Sequence, residues 1–106
     1  LPQFHATMEK NWLAACPQGA HQPVRSGVEN GYEFDFWFLT CPNNPQTMQP
    51  EATMVKAMRG RDALYVAQKS FKSVLTRELV LEWTHFIRNI ELCDTRDEKR
   101  ACPPGF

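Results

Sequence analysis

Tyr32-Glu33-Phe34-Asp35-Phe36-Trp37-Phe38-Leu39-Thr40-Cys41 carries the strongest structural signal in the chain. Side chains of a strand alternate between two faces. Tyr32, Phe34, Phe36 and Phe38 therefore point one way, and Glu33, Asp35, Trp37, Leu39 and Cys41 the other. The first face is wholly aromatic and has to be buried. The second begins charged and ends apolar, so another element should cover its C-terminal half. The turn pair Asn30-Gly31 leads into this strand, and Pro42-Asn43-Asn44-Pro45 ends it.

Downstream, residues 52–72 read as two strands, Ala52 to Met58 and Ala63 to Phe71, joined around Arg59-Gly60-Arg61-Asp62. Ala63, Tyr65, Ala67 and Phe71 lie on one side of that hairpin. A helix through Leu64, Ala67, Phe71 and Val74 also fits the spacing. The hairpin is favoured, because glycine beside charged residues interrupts the run and Leu64-Tyr65-Val66 is strand-like. Residues 76–91 carry the clearest helical stripe: Leu79, Trp83, Phe86, Ile87 and Ile90. Thr76 suits the N-cap and Glu78 the first turn. Upstream, Phe4, Met8 and Trp12 recur at four-residue spacing and predict a short helix over 4–16, stopped by Pro17 and Gly19. Residues 17–31, dense in Pro, Gly, Ser and Asn, read as loop. The expected fold is thus α+β: an N-terminal helix, a three-stranded antiparallel sheet and a C-terminal helix packed on it.

The 106 residues make one domain, 1–106, with 94–106 as a charged and then proline-rich tail. Hydrophobic residues form 42% of the chain, too many for a disordered segment. Twelve basic and twelve acidic residues cancel, so the chain has no overall pull on nucleic acid or anionic lipid. No apolar run approaches the ~20 residues of a membrane-spanning helix. The start at Leu1-Pro2 rather than Met fits a processed chain whose signal peptide has been removed, or a trimmed one.

Four cysteines stand in the chain, three followed at once by proline: Cys16-Pro17, Cys41-Pro42 and Cys102-Pro103. Proline removes a backbone donor and drives the preceding residue toward extended geometry, so each pair marks the end of an element. An even count in a small chain indicates a disulfide framework and an oxidising compartment. Of the three possible pairings, Cys16–Cys41 and Cys93–Cys102 is favoured. The first would tie the N-terminal helix to the end of the aromatic strand; the second would shape the charged loop Asp94–Ala101. There is no Cys-x-x-Cys or His-x-x-x-His, which argues against structural zinc. A catalytic Cys–His pair would need His5, His21 or His85 beside a free thiol. No metal or cofactor is expected, and no phosphate loop, Gly-x-Ser-x-Gly elbow or metalloprotease helix is present.

Arg59, Arg61, Lys69 and Lys72 form a local basic cluster around Tyr65 and Phe71. Asp94, Arg96, Asp97, Glu98, Lys99 and Arg100 place three charges of each sign in the Cys93–Cys102 loop. Arg59, Arg61, Asp94, Arg96, Lys99 and Arg100 are therefore the candidate binding residues. Glu33 and Asp35 share a strand face about 7 Å apart, a spacing at which paired carboxylates do acid–base work.

Several segments together resemble a group of small secreted or periplasmic proteobacterial proteins. They are Tyr32 through Pro42, Glu51-Ala52-Thr53, Lys56 through Asp62, Leu64 through Phe71, and Cys93-Asp94-Thr95-Arg96 with Arg100-Ala101-Cys102-Pro103. The resemblance covers roughly residues 30–103. It implies a bacterial envelope location and brings no catalytic residues. It also implies a further N-terminal segment with a tryptophan-containing helix and a strand, which this sequence is read as lacking, leaving a sheet edge open.

The expected function is a non-enzymatic, disulfide-stapled secreted or periplasmic protein that binds another macromolecule, as an inhibitor, immunity factor or effector. Its partner would be a protein, or a second copy, at an open sheet edge and the charged loop; nucleic acid and membrane insertion are not expected. Two alternatives are a small secreted hydrolase using Glu33, Asp35 or His85, and a carrier of a small apolar ligand on Tyr32, Phe34, Phe36 and Phe38.

Overall fold

A computed structural model describes residues 1–73 and 75–102, the side chain of Glu98 excepted. Val74, the Cys102-Pro103 seam and the proline-rich end of the tail lie outside the described residues. The elements are α1 (Pro2–Ala15), β1 (Ala20–Glu29), β2 (Tyr32–Cys41), β3 (Glu51–Arg59), β4 (Leu64–Phe71), α2 (Arg77–Arg88) and a short 3-10 turn, Glu98–Arg100. The strands form one antiparallel sheet in the order β1-β2-β3-β4.

The fold is α+β as expected, but the sheet has four strands, not three. Residues 20–29, read from sequence as loop, pair with β2 from Ala20↔Thr40 to Glu29↔Tyr32. The density of Pro, Ser and Gly there reflects an edge strand: Pro23 and the register shift between Pro23 and Arg25 interrupt it without breaking it. The turn at Asn30 (φ 51°) and Gly31 (φ 83°) joins it to β2. Positive φ at both central residues is what a two-residue hairpin needs, and glycine adopts it without steric cost. Residues 2–29 supply a Trp12-bearing helix and a strand.

The β3–β4 pairing, from Arg59↔Leu64 to Ala52↔Phe71, replaces the alternative helix over this region. Register then sorts the sheet into two faces. Phe34, Phe36, Ala52, Met54, Met58 and Phe71 form a core under α2, with Ile87 buried and Leu79, Val80, Trp83 and Ile90 packed against it. Phe86 departs from the expected stripe. It is 59% exposed, its ring set edge-on to Trp83 at the margin of the helix. Thr76 caps α2, its hydroxyl accepting the Leu79 N–H at 3.2 Å. The helix ends at Arg88, three residues before the expected end.

On the opposite face, Trp37, Leu39, Val55 and Ala57 are completely buried beneath Leu1, Phe4, Met8 and Trp12 of the N-terminal segment. This is the cover that the apolar C-terminal half of that β2 face requires. Full burial of a side chain such as Leu39 or Val55 stabilises by roughly 1.5–3 kcal/mol. Trp12 Nε1 also donates to the Thr40 carbonyl at 2.9 Å. A Cβ at Gly19 would sit 2.8 Å from the Thr40 carbonyl oxygen and 2.9 Å from that of Cys16. Glycine therefore permits the close turn from α1 into β1. Disulfides join Cys16 to Cys41, locking the end of α1 to the end of β2, and Cys93 to Cys102.

Candidate functional site

Three surfaces hold the chemistry-bearing side chains. The first is the end of the sheet carrying both tight hairpin turns. There the stapled loop folds back on itself, the Asp94 N–H donating to the Arg100 carbonyl at 2.7 Å. Asn30 Nδ2 donates to the carbonyls of Leu92 and Arg100, docking the loop on the β1–β2 turn. The Arg100 guanidinium lies over the Tyr32 ring, 4.7 Å from its centroid. Asp94 is buried. Its carboxylate accepts the Arg96 backbone N–H at 2.8 Å and Nε at 3.1 Å, and lies 3.4 Å from Arg61 Nη1. These donors, the Arg96 backbone N–H first, hold its carboxyl below the usual aspartate range. Arg96 also reaches Asp62 at 3.4 Å.

Of the six residues singled out from sequence, the structure brings Arg61, Asp94 and Arg96 into one network. Asp94 is its buried hub, and Arg100 is packed against Tyr32 and beside Gly31. Arg59, Arg61, Arg96 and Lys99 remain exposed.

The second surface is the pair of sheet edges. β1 carries Pro23, a bulge at Val24 and the charged Arg25 and Glu29. Such features blunt an edge against further pairing. β4 carries none of them in its first five residues. Leu64, Tyr65 and Val66 there are 43%, 51% and 44% exposed.

The third surface was not legible in the sequence. On the α1 face, Asp35 Oδ2 lies 2.5 Å from His5 Nδ1, His5 Nε2 lies 2.5 Å from His21 Nε2, and His21 Nδ1 lies 3.4 Å from Glu9 Oε1. His5 stacks on Trp37, centroids 3.9 Å apart and planes 12° from parallel. The His5, Asp35 and His21 side chains keep only 15–18% of their exposure. Beside them opens a cavity of about 580 Å³ also lined by Ser26 and Glu33. The sequence groups Asp35 with Glu33 and His85 instead. Glu33 is exposed at the start of β2, and His85 is exposed on α2, across the sheet from Asp35. Of the three, Glu33 and Asp35 line the same cavity and His85 stands apart from it. Every cysteine is in a disulfide, so no thiol stands beside a histidine. Among the described residues, no three His, Cys, Asp or Glu side chains are gathered around a metal position. The signal that could have found the cluster is weak: His5 and Glu9 are four residues apart on α1, and His21 and Asp35 join them only through the β1–β2 register.

Tyr32, Phe34 and Phe36 are buried, and a groove of about 220 Å³ remains between β1 and α2. No described helix is long and apolar enough to cross a membrane. The chain matches no family model, no curated protein and no solved structure.

Proposed function

We propose that this chain is a non-enzymatic, secreted or periplasmic binding protein that takes an extended segment of another protein onto the outer edge of β4. The observation that carries the reading is the asymmetry of the two edges: both expose apolar side chains, Val24 and Val28 on β1 and Leu64, Tyr65 and Val66 on β4, but β1 is interrupted by proline and a bulge, whereas β4 pairs with β3 in unbroken register. Strand addition uses the free backbone groups of such an edge for affinity and alternate side chains for specificity. Arg59 and Arg61 flank the start of β4, and Lys69 and Lys72 its end. A partner strand with an apolar centre and acidic flanks fits that rim. Two closed disulfides support the oxidising compartment, because such bonds rarely persist in the cytosol. The resemblance to small envelope proteins of proteobacteria points the same way, toward an inhibitor, immunity or effector role.

A photo-crosslinking residue placed at Val66, and separately at Val28 on β1, tests the reading in envelope and culture fractions of the producing cells. Adducts to one defined protein are expected from Val66 and not from Val28. The same protein should be lost when Leu64 and Val66 are both replaced by Lys, with the circular dichroism spectrum unchanged. Equal labelling from both edges, or none from β4, would reject strand addition.

A further inference from the structure

Two carboxylates hold the outer nitrogens of two imidazoles whose inner nitrogens face each other. Asp35 sits at His5 Nδ1 and Glu9 at His21 Nδ1. A carboxylate is an acceptor only, so the hydrogen bond to Asp35 places the N–H of His5 on Nδ1 and, in a neutral ring, leaves its Nε2 with a lone pair. His5 Nε2 and His21 Nε2 converge to 2.5 Å, and two imidazole nitrogens that converge in this way are placed to share one cation. The order carboxylate–histidine–cation on both sides is also the one that orients histidine ligands and raises their basicity in metal sites.

The surroundings are built to hold such a pair. Stacking on Trp37 fixes the His5 ring plane. His21 is held by the strand pairing of His21 with Leu39. The adjoining cavity of about 580 Å³ gives an entry path and room for water.

We propose that His5 and His21 form a two-histidine site for a divalent transition-metal ion, with Asp35 and Glu9 as positioning carboxylates. Imidazole nitrogen suits Zn²⁺ and Cu²⁺. Two ring nitrogens bound at ~2.0–2.1 Å in tetrahedral geometry stand about 3.3 Å apart. Loading therefore opens the pair from its 2.5 Å separation by about 0.8 Å, a movement of side-chain torsions. The remaining coordination positions face the cavity and are filled by water. No free thiol competes for the ion.

Titration calorimetry of the disulfide-bonded chain with Zn²⁺, and electron paramagnetic resonance of the chain loaded with Cu²⁺, test the site. One ion per chain is expected, with nitrogen hyperfine coupling from two imidazoles. His5→Gln and His21→Gln should each abolish saturable one-to-one binding, and Asp35→Asn should weaken it ~10–100-fold. His85→Gln, on the other side of the sheet, should bind like the parent. Absence of one-to-one binding, or its retention in both His5→Gln and His21→Gln, would overturn the site. If one variant fails to fold by circular dichroism, the other and the nitrogen coupling still decide.

Discussion

Lys56 Nζ meets Glu29 Oε1 at 2.6 Å beneath the end of α2. The lysine is 1% exposed, and its ammonium also donates to the carbonyls of Arg88 at 3.1 Å and Ile90 at 2.6 Å. A cation there satisfies carbonyls that the helix end leaves without partners. The pair thus links edge strand β1, central strand β3 and the C-terminus of α2. Breaking a buried pair strands one charge, whereas replacing both partners removes the desolvation penalty as well. Glu29→Ala is expected to cost about 1–3 kcal/mol, because Glu29 is partly exposed and Lys56 keeps its two carbonyl acceptors. Glu29→Met combined with Lys56→Met should cost less than Glu29→Ala alone. Urea denaturation of the three proteins gives the comparison.

Trp37 is completely buried, and its Nε1 has no hydrogen-bond partner among the described residues. Trp37→Ala should cost ~3–5 kcal/mol as a core truncation. Trp37→Phe should cost distinctly less, because it keeps a ring under α1 and removes an unsatisfied donor. Trp83 is only half-buried, against Phe71 and beneath Lys69. Trp83→Ala should therefore cost less than Trp37→Ala, read from chemical denaturation midpoints at equal m-value.

The two disulfides close loops of different length, with sequence separations of 25 and 9 residues. Loop-closure entropy predicts about 3.5 kcal/mol of stabilisation from Cys16–Cys41 and about 2.6 kcal/mol from Cys93–Cys102. Paired Cys→Ala variants should rank in that order by thermal unfolding. Loss of the first should also loosen α1, seen as faster amide exchange over residues 2–15.

Asp94 is expected to make stability fall in acid. Hydrogen bonds from the Arg96 backbone and side chain, and from Arg61, lower its carboxyl pKa in the folded chain relative to the unfolded one. A depressed pKa means that the unfolded chain takes up the proton more readily as pH drops. The contribution is therefore complete above the ordinary aspartate value of about 4 and is lost as pH falls below it. The melting temperature of the parent should drop more steeply across that range than that of Asp94→Asn. Parallel curves would show that the Arg61–Asp94–Arg96 network adds no stability.

What was legible in the sequence was local in origin. The two faces of β2 follow from alternation at period two, and the α2 stripe from period 3.6; both patterns are written in neighbouring residues. Edge strand β1 left no such pattern, because Ala20 to Glu29 are mostly exposed on both faces and Pro23 and Gly27 lower the intrinsic strand preference. Its strand conformation is imposed by pairing with β2. Phe86 misled for the converse reason: it fits the helical period, yet it falls at the margin of α2, where the sheet no longer covers it.

The charged loop divides in the same way. Asp94, Arg96, Lys99 and Arg100 stood out by composition, and the short Cys93–Cys102 spacing marked them as one surface. Their separate roles depend on which way each side chain turns. Asp94 goes inward to Arg61 and Arg96, Arg100 goes onto Tyr32, and Lys99 stays outside. No spacing rule encodes that division, since Arg61 and Tyr32 come from other hairpins.

A stapled α+β chain is written in short-range signals: the Cys-Pro punctuation, the aromatic strand and the amphipathic helix. Where its chemistry lies depends on long-range packing. His5 and His21 are 16 residues apart and His5 and Asp35 are 30, so they meet because α1 lies across β1 and β2, clamped by Cys16–Cys41. Likewise the difference between a blunted β1 edge and an open β4 edge exists only once the order β1-β2-β3-β4 is set. Which strands lack a neighbour is a property of the assembled sheet, fixed by long-range pairing and by the two apolar faces that pairing has to bury.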